Sequence, residues 1–215
     1  MRSRLFRAPL GFVLLLAVVS LLLVTCSDDK ECPTCPPSPA LTQWVEYDNF
    51  VDNTLDPNLW NYIADCCGGQ VLEADSQLQV WGHTDNWTGS GIVRTIEPKL
   101  AWRFHLVDTY FEEGPGCQGW HIQAIDPVAG IGVEVLNRAS LGCTNPANMG
   151  DSTGTYEIRQ EGDSLAVYKS STLLRRVYDQ GIDFFVLQFV SDNMYGTGNH
   201  SHIFVEDVWG LEWKP

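Results

Sequence analysis

From Leu41 onward, apolar and polar residues alternate in short segments bounded by Gly, Pro, Asn or Asp. A period of two is typical of strands with one buried face. The pattern predicts ten strands: Trp44–Phe50, Gln77–Trp81, Gly91–Ile96, Ala101–Phe111, Trp120–Asp126, Ile131–Asn137, Thr155–Glu161, Ser164–Lys169, Phe184–Val190 and Ser201–Leu211. The one helical turn that we predict is at Asp56–Trp60. The spacing of the strands indicates an all-β fold, a two-sheet antiparallel β-sandwich.

The alternation also assigns side chains to faces. Along Ala101–Phe111 the residues Trp102, Phe104 and Leu106 share one face, and Arg103, His105 and Thr109 share the other. The next two strands repeat this pattern, so we expect Trp102 and Trp120 in the core. Consecutive strands usually pair. If these three strands are neighbours, five polar residues form one candidate binding patch: Arg103, His105, His121, Gln123 and Glu134.

Residues 1–25 have the layout of a secretory signal. Three arginines precede the uncharged stretch Leu10–Val24, which is short for a membrane-spanning helix of about 20 residues. Leu23-Val24-Thr25-Cys26 resembles the lipobox of bacterial lipoproteins, and this resemblance implies a lipid on Cys26 and an outer-membrane or periplasmic location. Plain secretion and an uncleaved signal anchor are the alternatives. Residues 26–40 are proline-rich and predict an extended tether, followed by one domain over residues 41–215.

The formal net charge is −14, and it becomes more negative if residues 1–25 are removed, because they contain three arginines and no acid. Such a surface repels phosphate backbones and anionic head groups. Nucleic acid is therefore excluded as a partner, and membrane contact is expected through the lipid anchor only.

Seven cysteines are present. Lipidation of Cys26 leaves six, which suits an oxidising compartment. We predict a Cys117–Cys143 disulfide, because both residues lie in Gly-rich loops that flank the two strands between them. The pairing of the other four stays open: Cys32, Cys35, Cys66 and Cys67.

Three segments resemble a known superfamily. Tyr47–Trp60 contains Asp48-Asn49-Phe50 and Leu55-Asp56-Pro57 before Trp60, and it is similar to the opening strand of concanavalin A-like lectins and glucanases. Tyr156–Tyr168 resembles the late hairpin of the laminin-G-like branch, and His202–Val208 resembles the last strand. The resemblance implies a jelly roll over residues 41–215, with a curved sheet whose concave side often binds glycans.

The resemblance does not imply enzymatic activity. Glucanases of this superfamily place Glu-x-Asp-x-Glu on one strand, as an acid/base and nucleophile pair. The nearest string here is Glu73–Gln77, which lacks the second glutamate and is expected in a turn. Alginate lyases of similar fold use Gln-Ile-His, whereas this chain has His121-Ile122-Gln123, with Arg103 one strand earlier. We assign no catalytic residue and lean towards a non-enzyme.

Two further sites come from single residues. Trp87 lies in the polar segment His83–Ser90 and is the best candidate for stacking on a sugar ring, with Tyr195 as a weaker second. Relatives sometimes hold a structural calcium near the last strand, which would involve Asp207 and Asp48 here. No other cofactor is predicted.

We therefore expect an envelope-anchored carbohydrate-binding lipoprotein that recognises a polysaccharide or a glycoprotein glycan without cleaving it. The alternatives are a divergent glycoside hydrolase or polysaccharide lyase, and a structural envelope protein without a small ligand. Two carboxylates about 5–10 Å apart would favour hydrolysis.

Overall fold

The computed structural model describes residues 41–64, 69–83, 88–111, 117–139, 153–178, 182–194 and 200–214. These segments form thirteen strands: β1 (Thr42–Asp48), β2 (Trp60–Ala64), β3 (Gln70–Ala74), β4 (Gln77–His83), β5 (Thr88–Thr95), β6 (Ala101–Phe111), β7 (Cys117–Ile125), β8 (Gly132–Ala139), β9 (Gly154–Glu161), β10 (Ser164–Lys169), β11 (Thr172–Tyr178), β12 (Val186–Met194) and β13 (His200–Trp213). Within these segments, no helix has the length and hydropathy to span a bilayer.

The strands form two antiparallel sheets. Sheet A has eight strands in the order β11-β10-β9-β6-β13-β4-β3, with β1 paired to β13. Sheet B has five strands in the order β2-β5-β12-β7-β8. The long strand β13 pairs with β6 on one side, and on its other side with β4 and then with β1. The predicted all-β, two-sheet antiparallel β-sandwich is therefore confirmed.

The core lies between the two sheets and is rich in aromatic residues. Trp102 and Phe104 of sheet A and Phe189 of sheet B are fully buried, and Trp120 is 2% exposed. The indole of Trp102 donates a hydrogen bond to the Phe185 carbonyl at 2.8 Å, so its polar atom is satisfied. The prediction that Trp102 and Trp120 belong to the core is confirmed.

All ten predicted strands are present, and the bounds of Ala101–Phe111 and Ser164–Lys169 are as predicted. The alternation did not reveal β2, β3 and β11. All three are edge strands, and an edge strand has a weaker apolar pattern because it has a neighbour on one side only. The predicted turn at Asp56–Trp60 is confirmed, since the Trp60 N–H donates to the Asp56 carbonyl at 2.9 Å.

Candidate functional site

The outer face of sheet B carries a continuous row of polar side chains. The strand registers place five residues opposite one another across all five strands: Asn61, Arg94, Gln188, Gln123 and Glu134. Their neighbours along the strands, such as Val93, Ile122 and Leu187, are fully buried, which fixes the five on the side away from the core. With strands about 4.8 Å apart, this polar row extends for roughly 19 Å.

Few hydrogen bonds connect the side chains of the polar row to one another. The Gln188 side-chain amide donates to Gln123 Oε1 at 3.0 Å. Neither Arg94 nor Asn61 has a side-chain partner among the described residues. Unused amide groups and an unused guanidinium remain available to a ligand, because each can still donate or accept hydrogen bonds.

A cavity of about 190 Å³ opens at one end of the polar row, beside Asn61 and Arg94. Its other wall includes the turn after β7, which Asp126 holds in shape by accepting hydrogen bonds from the Val128 and Ala129 amides at 2.7 and 3.0 Å. The row therefore ends in a concave feature whose wall is fixed by its own turn.

Next to the polar row lies an imidazole–carboxylate pair. His121 Nδ1 is 3.7 Å from Asp192 Oδ2, and both side chains are 21% exposed. On the neighbouring strand the Asn137 amide donates to Glu134, and the second polar atom of Asn137, its Oδ1, is buried without a hydrogen-bond partner. A register shift opposite Ile122 and Gln123 brings Asn137 level with His121.

The structure does not bring the five residues of the predicted patch together. His121, Gln123 and Glu134 lie on the outer face of sheet B, whereas Arg103 and His105 lie on β6 in sheet A. The expected pairing of β6 with β7 is wrong, because β6 pairs with β9 and β13 and the chain then crosses to the other sheet. The expected pairing of β7 with β8 is correct.

The same topology separates Arg103 from the His121-Ile122-Gln123 segment. The lyase-like combination of these residues on adjacent strands is therefore not present. The face assignment of Thr109 is also wrong. A register shift between Phe204 and Val205 changes the alternation, so Thr109 pairs with the buried Ile203, and Asp108 and Tyr110 occupy the outer face instead.

Arg103 and His105 bind partners within sheet A. Arg103 donates to Glu157 at 2.8 Å and lies over the Trp44 ring at 4.1 Å. His105 Nδ1 is 3.0 Å from the Thr155 hydroxyl. Both predicted binding residues are thus engaged by neighbouring strands, and their role in glycan binding stays a prediction.

Further along sheet A the charges form a network around Glu161. Its carboxylate accepts hydrogen bonds from Tyr168 Oη at 2.6 Å, from Arg159 Nε at 2.8 Å and from Arg176 at 2.6 Å. The Tyr168 hydroxyl and the two guanidinium groups lower the pKa of Glu161 to about 2. This arginine–glutamate network, which also includes Glu157, covers one half of the outer face of sheet A.

The other half of that face carries an aromatic cluster. His202 stacks on Phe204 and Tyr110 with ring centroids 4.5 and 5.6 Å apart, and Trp81 lies 4.8 Å from His202. His202 Nε2 is 3.0 Å from Asp108 Oδ2. The rings therefore pack mainly against each other.

Carboxylates on sheet B are not arranged as a glycosidase pair. The strands of its outer face carry Glu134 and Asp192 among the described residues. These lie two strands apart and are offset by four residues along the register, which separates their Cα atoms by roughly 16 Å. Paired glycosidase carboxyl groups are about 5–10 Å apart.

The Glu73 string lies elsewhere than expected. Glu73 is part of β3 and is 7% exposed, whereas the sequence indicated a turn. Burial raises the pKa of Glu73 to about 7, with contributions from the nearby Asp52 and Asp48 carboxylates. Its position in sheet A, away from the polar row, gives it no partner for acid–base work there.

The predicted calcium ligands have other roles or none. Asp48 accepts hydrogen bonds from the Phe50 N–H at 3.0 Å and from the Trp60 indole at 2.7 Å. Asp207 is exposed at a register shift of β13, with φ of 48°. No group of three or more His, Cys, Asp or Glu among the described residues is placed to hold a metal. The calcium site stays a prediction without further ligands.

Several predicted features lie outside the described residues: the signal peptide and tether, the lipidated Cys26, the stacking candidates Trp87 and Tyr195, and Cys143. Cys117 is the first residue of β7. Because Cys143 lies outside the described residues, the Cys117–Cys143 disulfide stays a prediction.

The sequence pattern contains a signal for Arg94 and Gln188, which we did not predict as site residues. Arg94 and Gln188 alternate with apolar residues inside two predicted strands. What was missing was the register that places them level with Gln123. Asn61 lies on an edge strand that the pattern did not reveal.

Comparison with solved structures shows a known fold. The chain is similar to the catalytic domain of a laminarinase from Thermotoga petrophila, with a TM-score of 0.52, 12% identity, and coverage of 81% of this chain and 100% of the other. It is similar to an endo-β-1,3(4)-glucanase from family GH16, with a TM-score of 0.53 and 10% identity over 83% and 95%.

A third similar structure is a GlcNAcα1-4Gal-releasing endo-β-galactosidase from Clostridium perfringens, with a TM-score of 0.56, 11% identity, and coverage of 86% and 67%. No family model matches the chain, and no curated protein matches it. At these identities the likeness shows the fold alone: the sandwich has the concanavalin A-like jelly-roll architecture of the glucanases.

Proposed function

We propose that this protein binds a polysaccharide or a glycoprotein glycan along the outer face of sheet B without cleaving it. The observation that carries the proposal is the polar row, which crosses all five strands of sheet B. Among the described residues, Arg94 and Asn61 have no side-chain partner and two glutamine amides are only partly used. Sugar hydroxyls both donate and accept hydrogen bonds, and amide and charged side chains match them in both roles.

The length of the row supports a chain-like ligand. A surface of roughly 19 Å accommodates several consecutive sugar rings. The adjacent pair His121–Asp192 and the Asn137 oxygen widen the surface on one side. Of the residues predicted from the sequence, His121, Gln123 and Glu134 belong to this proposed binding face.

The absence of cleavage rests on the carboxylate spacing. Glu134 and Asp192 are too far apart to act as acid and nucleophile on one glycosidic bond. The similar structures include a laminarinase and an endo-β-1,3(4)-glucanase. The fold is therefore compatible with either role, and the choice depends on the side chains of sheet B.

One observation favours a divergent enzyme as the second candidate. His121 Nδ1 lies 3.7 Å from Asp192 Oδ2, and histidine is the most frequent general base. In that case the full chain would release reducing ends or unsaturated products from a bound glycan, and His121→Asn would abolish release while binding persists.

Affinity electrophoresis of the full chain tests the proposal, with laminarin, barley mixed-linkage β-glucan and gastric mucin as probes. We expect retardation by at least one of these. The double variant Arg94→Ala/Gln188→Ala should weaken that binding about 30-fold or more, since a hydrogen bond to a charged group contributes about 1.5–3 kcal/mol and a neutral one about 1 kcal/mol.

The matched control is Arg103→Ala/His105→Ala on the opposite sheet, which should retain the wild-type affinity. Equal loss in both double variants, or no loss in the sheet B variant of a chain that binds, contradicts the proposed face. No retardation by any probe, in a folded chain, favours the structural envelope protein instead.

The lipid anchor is part of the same proposal, because it would display the binding face outside the cytoplasm. Metabolic labelling with a radioactive fatty acid should mark the wild-type chain and not Cys26→Ala. Equal labelling of both chains contradicts the anchor and leaves the binding face unaffected.

A further inference from the structure

A second concave feature lies on the other side of the sandwich, at the end of sheet A. It is a cavity of about 400 Å³ whose walls include Trp213 and Phe184. These two aromatic side chains are 51% and 46% exposed. We call this cavity the Trp213 pocket, and its size falls within the range of ligand pockets, about 300–1,000 Å³.

The strand register builds the floor of the Trp213 pocket. Leu211 of β13 and Arg159 of β9 lie opposite Ala101 on its two sides, so three adjacent strands contribute one level row. The Phe184 wall is held because Phe185 forms two backbone hydrogen bonds with Lys99, both of 3.1 Å. The pocket is thus formed by described strands and by a fixed segment.

The charges of the Trp213 pocket select against an anion. Arg159 is its one cation among the lining residues. Its guanidinium already donates to Glu161 at 2.8 Å and to Glu157 at 3.3 Å, and it lies 4.3 Å from the centre of the Tyr168 ring. Two carboxylates neutralise it, and the lining residue Asp183 adds a negative charge. A phosphate, sulfate or carboxylate would find no free positive charge here.

What remains is a pocket with two half-exposed aromatic rings, an aliphatic floor and one carboxylate. Asp183 has no partner among the described residues, so it can accept hydrogen bonds. A sugar ring has an apolar face that stacks on aromatic rings and hydroxyls that donate to a carboxylate. The eight lining residues are far fewer than the 20–30 residues that each side of a stable protein interface supplies.

We propose that the Trp213 pocket binds an uncharged sugar residue and is a second glycan site, separate from the polar row. This inference rests on the proposed function for the class of ligand, although its residues and its sheet are different. The outer face of sheet B and the Trp213 pocket lie on opposite sides of the core. One protein molecule would therefore hold two glycan segments at once and gain avidity for a polymer.

The experiment measures the number of sites per chain. Isothermal titration of the full chain with a laminarin oligosaccharide and with a mixed-linkage β-glucan oligosaccharide should give two sites. Trp213→Ala and Asp183→Asn should each weaken one site by about tenfold or more and leave the other. Arg94→Ala/Gln188→Ala should do the reverse, and the combined variant should bind neither.

The control for loss of an exposed ring is Tyr178→Ala, because Tyr178 is 65% exposed on β11 and does not line the pocket. It should retain two sites. A single site that survives Trp213→Ala and is lost in Arg94→Ala/Gln188→Ala overturns this inference and keeps the proposed function. A single site with the opposite sensitivity keeps the Trp213 pocket and overturns the polar row.

Self-association provides the remaining outcome. If sedimentation shows a wild-type dimer that Trp213→Ala dissociates, with sugar binding unchanged, the pocket receives a second copy of the chain and the inference is wrong. No heat from either oligosaccharide, in a folded chain that gastric mucin also fails to retard, overturns both proposals.

Discussion

The polar side chains on the two outer faces of the sandwich differ in their partners. On sheet A, Glu161 accepts hydrogen bonds from Arg159 of its own strand, from Tyr168 of β10 and from Arg176 of β11. Arg103 is held between Glu157 and Trp44. On sheet B, Arg94 has no side-chain partner among the described residues. Both faces follow the same alternation in sequence. Polar composition therefore does not distinguish a face that stabilises the fold from one that is available to a ligand.

The largest expected effect concerns Glu73, at the edge of sheet A. Its folded-state pKa of about 7 lies above its ordinary value of 4.5. The native state therefore binds a proton more tightly than the unfolded state. The resulting stability is fully present below pH 4.5 and is lost as the pH rises through 7. Glu73→Gln should remove this slope and stabilise the protein at pH 8 by about 3 kcal/mol.

Urea unfolding at intervals from pH 4 to pH 8 measures this. If the Glu73→Gln and wild-type curves remain parallel over that range, Glu73 is not the source of the pH dependence. Glu73 lies level with the buried Leu78, so this test concerns the inner side of sheet A and not its outer face.

A smaller effect is expected from Glu161→Gln, which weakens the arginine–glutamate network. At pH 7 the variant should lose about 1 kcal/mol of unfolding free energy, since a partly exposed ion-pair network contributes modestly. The folded-state pKa of Glu161 is depressed to about 2. Its contribution is present above the ordinary value of 4.5 and is lost as the pH falls through 2.

The matched control is Asp163→Asn in the exposed turn next to Glu161, which should change the unfolding free energy from urea denaturation at pH 7 by about 0.5 kcal/mol or less. Thermal melts of both variants from pH 2 to pH 6 complete the test. A difference between Glu161→Gln and wild type that persists unchanged at the lowest pH contradicts the assignment.

The smallest expected effect comes from comparing one arginine on each outer face. Arg94→Ala on sheet B should change the unfolding free energy by about 0.5 kcal/mol or less, because its guanidinium has no partner in the described segments. Arg103→Ala on sheet A should cost about 1 kcal/mol, because it removes the ion pair with Glu157 and the stacking on Trp44. Equal urea midpoints for the two variants would remove the distinction between the faces.

The sequence predicted the strands and their buried sides, because a period of two is local information. Trp102 and Trp120 could be assigned to the core on that basis alone. The sheet to which each strand belongs is not local. Arg103 and His121 are on consecutive strands and yet lie on opposite sides of the sandwich, because β6 belongs to sheet A and β7 to sheet B.

The candidate site shows the same limit. Gln123 and Glu134 could be found because β7 and β8 form a hairpin-like pair whose faces follow from alternation. Arg94 and Gln188 join them through strand pairings between segments far apart in the chain. Such pairings depend on packing of the whole core, and no short motif records them.

The placement of β13 has a consequence for how sheet A is held together. This final strand is the inner neighbour of β6 and is also the strand to which β1 and β4 attach. Without the fourteen residues of β13, His200–Trp213, sheet A consists of three separate parts with unpaired edges: β11-β10-β9-β6, β4-β3 and β1. A truncation before His200 should therefore expose the unpaired edges of β6 and β4 and cause aggregation.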